Sequence, residues 1–199
     1  ETVRKALIEH VNVHGLPVFL DSGMFGIVQQ GEVGQEPDYD AVIEYYHEFL
    51  AEIDKDKMHL VSVVAPDFLT KIETPEGQMV IGDAVKTQEL QDKYRDDLLF
   101  FIGSFENADG EKVGYGANVI VPVQRKFNAD GSPDTSYTFE QGSPFGDLDL
   151  PFSPNIILGI PANAAKWTNE EIVAGAKSLT KSMDWGNNRL RLHLLGRGP

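Results

Sequence analysis

The chain has 199 residues, 41% of them hydrophobic, which is enough for one globular domain with a buried core. It contains no cysteine, and this excludes disulfides, thiolate nucleophiles and cysteine-built zinc sites within the sequence. The formal charge of −14 opposes binding to polyanions, except where lysine and arginine side chains are gathered locally.

Short apolar runs alternate with stretches of helical spacing along the chain. The apolar runs predict five strands, at residues 16–20, 60–65, 118–123, 156–160 and 190–195. Helical spacing predicts a helix at 39–53, another at about 83–99, and a third beginning at Thr168. Because Glu171 stands three residues after Thr168, we predict a capping box at the start of the third helix.

Apolar strands separated by helices are typical of a parallel sheet in an α/β fold. Two architectures fit, an open doubly wound sheet or part of a (β/α)8 TIM-type barrel. Neither GxGxxG nor a P-loop motif follows the first strand, so we favour the barrel, incomplete because five strands cannot close it. We treat residues 1–199 as a single barrel domain with a loop or hairpin insertion at about 128–154.

The hydropathy of the chain predicts where the protein is located in the cell, and its two ends predict that the chain is incomplete. No apolar run approaches the roughly 20 residues needed to span a bilayer, and the first ten residues are too charged for a signal peptide. We therefore expect a cytoplasmic protein with no membrane partner. The chain starts without methionine and stops soon after an apolar run, so we expect that it is a fragment.

Polar or small residues follow each predicted strand, at the edge where active sites of parallel α/β folds lie. In chain order these strand ends are Asp21-Ser22-Gly23, Pro66-Asp67, Gln124-Arg125, the segment beginning at Gly159, and Gly196. Asp-Ser-Gly is also ordinary turn material, and an aspartate after proline can simply cap a turn. The alternative is that two carboxylates, a carboxamide and glycine backbone converge on one pocket.

The chemistry of such a pocket fits a polar heterocycle such as guanine. A carboxylate accepts two adjacent N–H donors, a carboxamide both donates and accepts, and glycine exposes its backbone to a planar ring. With Asp67 and Gln124 on the base, Asp21 remains for acid/base work or charge stabilisation. Phe25, just beyond Asp21, is placed either to stack on a flat ring or to be buried under the following helix.

Five motifs resemble, in order, successive strand ends of tRNA-guanine transglycosylases, and more closely those of the transglycosylase-like proteins that insert 7-deazaguanines into DNA. The motifs are DSGMF (21–25), VVAPD (63–67), VIVPVQ (119–124), IILGIPA (156–162) and LRLHLLGRG (190–198). The resemblance implies a barrel transferase that replaces guanine in a polynucleotide, either DNA or tRNA with DNA slightly favoured, with a 7-deazaguanine. The reaction would pass through a covalent glycosyl-enzyme intermediate.

The resemblance also implies roles for individual residues. Asp21 corresponds to the acid/base aspartate, Asp67 and Gln124 to the pair that binds the base, and Gly159 to a strand end that offers backbone contacts. The other members of the DSGMF motif that we expect at the substrate are Ser22, Gly23 and Phe25.

The sequence departs from the family pattern at two positions, Met24 in place of the second glycine of DSGGF and Arg125 in place of glycine after Gln124. The resemblance places the nucleophilic aspartate on the strand that would follow HLLGRG, and the zinc site of the tRNA enzymes also beyond that point. We therefore expect no metal or cofactor site within this chain. A second copy or a partner chain would complete the barrel.

Two other functions remain open from the residues. One is a non-catalytic partial barrel that binds a purine or a protein partner. The other is an unrelated barrel hydrolase that uses Asp21 and Asp67 as a pair of carboxylates. The hydrolase predicts dependence on a sugar and no affinity for guanine, whereas the transglycosylase predicts binding of the base.

Overall fold

The computed structural model describes residues 2–30, 32–74, 77–146, 148–161, 165–182 and 190–195. The strands in this part of the chain are β1 (Val18–Leu20), β2 (Val61–Val64), β3 (Leu69–Thr74), β4 (Gly77–Gly82), β5 (Phe105–Glu106), β6 (Lys112–Val113), β7 (Asn118–Pro122), β8 (Ile156–Pro161) and β9 (Arg191–Leu195). The helices are α1 (Thr2–Asn12), α2 (Met24–Gln29), α3 (Tyr39–Ala51), α4 (Ala84–Lys93), α5 (Arg95–Phe101) and α6 (Asn169–Ser182), with a 3-10 helix at Lys55–Leu60.

The centre of the fold is a five-stranded sheet in the order β1-β2-β7-β8-β9, in which every neighbouring pair is parallel. These are the five predicted strands, so both the strands and the α/β class are confirmed. A complete eight-stranded barrel is not formed by the described residues. None of the helices in that same part of the chain is long and apolar enough to cross a membrane.

Alternate residues of the central strands face the main hydrophobic core. Val63 of β2, Val121 of β7 and Leu158 of β8 are fully buried in one cluster, together with Tyr46 and Phe49 of α3. The β-branched strands provide a continuous apolar surface, and the helices bury that surface from one side. The main core therefore lies between one face of the sheet and the helices.

The opposite face of the sheet has a small core of its own and is strongly curved. Val64, Ile120 and Ile157 lie side by side on β2, β7 and β8 and form a separate buried cluster. On this face the rings of Phe19 and His193 stack, with their centroids 5.6 Å apart. Since these residues belong to the two edge strands, which would be roughly 19 Å apart in a flat sheet of five strands, the sheet must curl around this face.

Several elements were not predicted from the sequence. The antiparallel hairpin of β3 and β4 follows the end of β2, and the short pair of β5 and β6 precedes β7. The helix expected at 83–99 is instead two helices, α4 and α5, because the backbone leaves helical geometry at Tyr94, with φ −103° and ψ 19°.

Residues 128–154 form a packed loop rather than a regular element. Within its described residues the loop contains turns, and its Pro133 forms an isolated bridge with Phe127, the residue before the loop. Tyr137, Phe139 and Leu150 from this loop are buried in the main core. The loop therefore contributes to the packing of the domain.

The capping box at the start of α6 is confirmed. The Glu171 carboxylate accepts from the Thr168 N–H at 2.9 Å, and the Thr168 hydroxyl accepts from the Glu171 N–H at 3.2 Å. Glu171 also accepts two hydrogen bonds of 2.8 Å from Arg125, which is buried after β7 and stacks on the Trp167 ring at 4.5 Å. This ion pair attaches α6 to the end of β7.

We predict that Glu171→Gln lowers the free energy of unfolding by about 2 kcal/mol at neutral pH, because it leaves the buried Arg125 guanidinium without a charged partner. Burial raises the pKa of Glu171, but the hydrogen bonds from Arg125 and Thr168 outweigh burial and hold this pKa below its ordinary value of 4.5. The contribution is thus present above about pH 4.5 and is lost as the pH falls through the lower folded pKa. Urea unfolding at several pH values measures it.

Glu170→Gln is the matched control, because Glu170 is the neighbouring, exposed glutamate of the same helix. We expect this variant to unfold like the wild type. Equal effects of the two substitutions would contradict a stabilising role for the ion pair.

Candidate active site at the ends of β1 and β2

Asp21 and Asp67 follow two strands that are neighbours in the sheet. β1 and β2 are parallel, with Leu20 opposite Val63, so the segments after them leave the sheet at the same edge. There the Ser22 hydroxyl donates to the Asp67 carboxylate, at 3.1 Å between Oγ and Oδ1. Asp21 is exposed and Asp67 is partly buried. The structure thus brings three of the predicted site residues together.

Two tyrosines of α3 contact the same strand ends. The Tyr39 hydroxyl donates to the Asp67 carbonyl at 2.5 Å and accepts from the Asp67 N–H at 3.2 Å. The Tyr46 hydroxyl lies 3.3 Å from the carbonyls of both Leu20 and Val64, the last residues of β1 and β2. Both contacts are to backbone groups, so α3 holds the backbone on which the two carboxylates are placed.

The environment of Asp67 favours its protonated form. Burial, and secondarily the nearby charge of Asp21, raises the pKa of Asp67 from its ordinary 3.8 to about 7, even though the hydrogen bonds from Ser22 and Tyr39 lower it. A carboxyl group that titrates near neutral pH can both release and accept a proton under physiological conditions. Carboxyl groups with a pKa raised in this way are common at catalytic sites.

The DSGMF segment is also a turn, as the alternative interpretation expected. Gly23 has φ of +84°, a left-handed conformation that favours glycine, and its carbonyl accepts from the Gly26 N–H at 3.0 Å at the start of α2. Gly23 therefore has a structural reason to be glycine. The side chain of Phe25 lies outside the described residues, so its predicted stacking on a base stays a prediction.

A pocket of about 310 Å³ opens beside Asp21, between β1 and α3. Asp21 is the charged residue among its described lining residues, and the walls are mostly apolar and aromatic. The lining residues are Phe19, Leu20, Asp21, Ala41, Val42, Tyr45 and Tyr46. This volume accommodates a small flat ring.

Gln124 lies in a different place from the one predicted. It is 2% exposed, and within the described residues its side-chain nitrogen and oxygen have no hydrogen-bond partner. It lines a closed space under α4 that has no room for a water molecule, and a Cβ atom on Gly82 would lie 1.8 Å from its Oε1. The Asp21 pocket does not include Gln124 in its described lining.

Gln91 of α4 lies between this closed space and the Asp67 turn. Its side chain lines the space with Gln124 and donates to the Pro66 carbonyl at 3.0 Å. Gly159, the remaining predicted contact residue, is buried within β8, and its carbonyl accepts from the Val123 N–H at 2.7 Å. That carbonyl is engaged in the sheet. Gly196 lies outside the described residues.

Three residues at the site were not predicted from the sequence: Tyr39, Tyr46 and Gln91. The two tyrosines stand seven residues apart on the predicted helix, two turns along one face. Tyrosine there, rather than phenylalanine, is a signal that the buried side of the helix needs polar tips. The sequence does not predict which groups accept hydrogen bonds from these hydroxyls, because the acceptors belong to segments that are distant in sequence.

Neither a metal-binding cluster nor a similar known protein helps to assign a function to the site. In the described ranges, no group of three or more histidine, cysteine, aspartate or glutamate side chains could hold a metal ion. No protein-family model, no curated protein and no solved structure matches the chain.

We predict that Asp67→Asn stabilises the protein relative to the wild type at alkaline pH. Because the folded pKa of about 7 lies above the ordinary value of 3.8, the folded state holds the Asp67 proton more tightly than the unfolded state. The contribution of protonated Asp67 to the free energy of unfolding is fully present below the ordinary pKa of 3.8 and is lost as the pH rises through the folded-state pKa of about 7. Urea unfolding of wild type and variant between about pH 4 and pH 8 measures the difference.

Asp109→Asn is the matched control, since Asp109 is an exposed aspartate in the turn between β5 and β6. Its stability should follow that of the wild type at every pH. A stability difference between Asp67→Asn and wild type that does not vary with pH would show that Asp67 titrates normally.

Proposed function

We propose that the protein belongs to an enzyme that exchanges guanine in a polynucleotide, DNA in preference to tRNA, for a 7-deazaguanine. The exchange would proceed through a covalent glycosyl intermediate. One observation carries the proposal: Asp21 and Asp67 meet at the ends of β1 and β2, and the pKa of Asp67 is about 7. The motif resemblance supplies the reaction and the pair of acids supplies its proton chemistry.

The two aspartates suit the removal of a purine base. A departing guanine requires a proton and presents acceptors at O6 and N7. Because its pKa is about 7, protonated Asp67 can donate to such an acceptor near neutral pH, so the proposal gives the proton donor's role to Asp67 and not to Asp21, to which the resemblance assigns it. Ionised Asp21 can accept from the N–H edge of the base or stabilise positive charge that develops on the sugar.

We propose that the sheet is part of a (β/α)8 barrel. Its strands follow one another in chain order without the reversal that defines a doubly wound sheet. The stack of Phe19 on His193 supports closure of the sheet on itself. Leu192 and Leu194, on the face that helices cover elsewhere, are exposed, as expected where a further barrel helix would pack. A further segment or a partner chain would supply the remaining strands and the nucleophile.

A barrel hydrolase that uses Asp21 and Asp67 as its acid and base is the second candidate. The observation in its favour is that the two aspartates follow neighbouring strands at one sheet edge while Gln124, which the transglycosylase resemblance assigns to the base, is buried under α4. Hydrolysis of a glycoside needs a carboxyl pair and no carboxamide.

Calorimetric titration of guanine and of 7-cyano-7-deazaguanine into the full chain tests the proposal. We expect micromolar binding that Asp67→Asn weakens roughly tenfold, because one hydrogen bond to the base is lost or changed in charge. Asp109→Asn should leave the affinity unchanged. Gln124→Ala tests the resemblance separately, since a loss of affinity would require Gln124 to leave its closed space on binding.

Absence of binding by a demonstrably folded protein would contradict the base-exchange function. The same protein could instead bind and cleave a simple glycoside. If Asp67→Asn abolished that binding and cleavage, the hydrolase would replace the base-exchange enzyme as the proposed function. Binding of guanine without any effect of Asp67→Asn would place the base away from the two carboxylates.

A further inference from the structure

We propose that Tyr39 and Tyr46 are positioning residues whose hydroxyls fix the spacing of the Asp21 and Asp67 carboxylates. The two side chains are each 1% exposed and lie two turns apart on one face of α3, about 10.5 Å along the helix axis. That distance lets a single rigid helix contact both the strand ends and the turn that carries Asp67.

The Tyr46 hydroxyl joins the two strands at their last residues. It lies 3.3 Å from the Leu20 carbonyl and 3.3 Å from the Val64 carbonyl, so its one proton serves two acceptors on neighbouring strands. Asp21 is the next residue after Leu20. A movement of either strand end would break this bridge, and the bridge therefore limits how far Asp21 can move from β2.

The Tyr39 hydroxyl fixes the other carboxylate. It both donates to the Asp67 carbonyl and accepts from the Asp67 N–H, so the peptide groups on both sides of the Asp67 Cα are held by one atom. The Ser22 hydroxyl then orients the carboxylate itself. Asp67 is thus positioned through its backbone from α3 and through its side chain from the DSGMF turn.

Packing alone does not explain these two tyrosines. The same helix places a phenylalanine, Phe49, in the same core with no exposure, where the ring is sufficient. A buried hydroxyl without a partner costs stability, so tyrosine is retained where acceptors lie in reach. Burial, and secondarily the charge of Asp21, also raises the pKa of Tyr46, so the phenol stays a donor at every physiological pH.

The test uses Tyr39→Phe and Tyr46→Phe, which keep the buried rings and remove only the hydroxyls. Tyr115→Phe is the matched control, because the Tyr115 hydroxyl also contacts a backbone carbonyl of α3, that of His47, at 3.2 Å. The readout is the carbon-13 titration of the Asp67 carboxyl group, recorded with and without Asp21→Asn. Amide hydrogen exchange at Asp67 reports on the backbone contact directly.

We expect Tyr39→Phe to raise the titration midpoint of Asp67 by about half to one pH unit, because the hydroxyl that lowers this pKa is removed. Faster exchange of the Asp67 amide should accompany the shift. Tyr46→Phe should reduce the response of Asp67 to Asp21→Asn, since the hydroxyl that bridges the last carbonyls of β1 and β2 is removed. Tyr115→Phe should change none of these values.

The inference is overturned if the three phenylalanine variants lose stability alike while the Asp67 midpoint and its response to Asp21→Asn stay as in the wild type. Its consequence for catalysis rests on the proposed function, but the titration needs no ligand. A shifted midpoint without guanine binding would refute the function and leave the positioning role. Normal guanine binding, together with an Asp67 titration midpoint that the tyrosine substitutions do not change, would support the function and refute the positioning role.

Discussion

The parallel pairing of β1 with β2 is the constraint on which the candidate site depends. With Leu20 opposite Val63, the chain leaves both strands at one edge, and two aspartates that are 46 positions apart in sequence share one environment. Burial of Asp67, with a smaller contribution from the charge of the exposed Asp21, raises the pKa of Asp67 to about 7, and the hydrogen bond from the Ser22 hydroxyl offsets this rise only in part.

The shape of the sheet determines what can approach that pair. Helices cover one face, and the other face curls until Phe19 and His193 of the edge strands stack. Asp21 consequently lies on an open rim, in a pocket bounded by β1 and α3. The Asp67 turn lies behind it, held by the hydroxyls of Tyr39 and Ser22. This arrangement leaves the Asp21 carboxylate exposed and the Asp67 carboxyl group partly buried. Enzymes that use two carboxyl groups as acid and base commonly place them in two such different environments.

The sequence alone predicts the five central strands and the capping box at Thr168, because both depend on local patterns of apolar and capping residues. It misses the β3–β4 hairpin, whose strands mix polar and apolar residues outside the central sheet. The position of Gln124 could not be predicted either. Its direction after β7 depends on α4 and on the loop at 128–154, and those contacts are distant in sequence. Asp21 and Asp67 were placed together because strand ends meet by topology alone.

Carbon-13 titration of the Asp67 carboxyl group in the wild type and in Asp21→Asn shows directly whether the two carboxylates are coupled. Two coupled carboxylates predict a wild-type midpoint of about 7 and a lower midpoint once the charge of Asp21 is removed. A wild-type midpoint close to the ordinary 3.8, unchanged by Asp21→Asn, would contradict the account. In that case the DSGMF segment would be only a turn, and the two aspartates would not form a site.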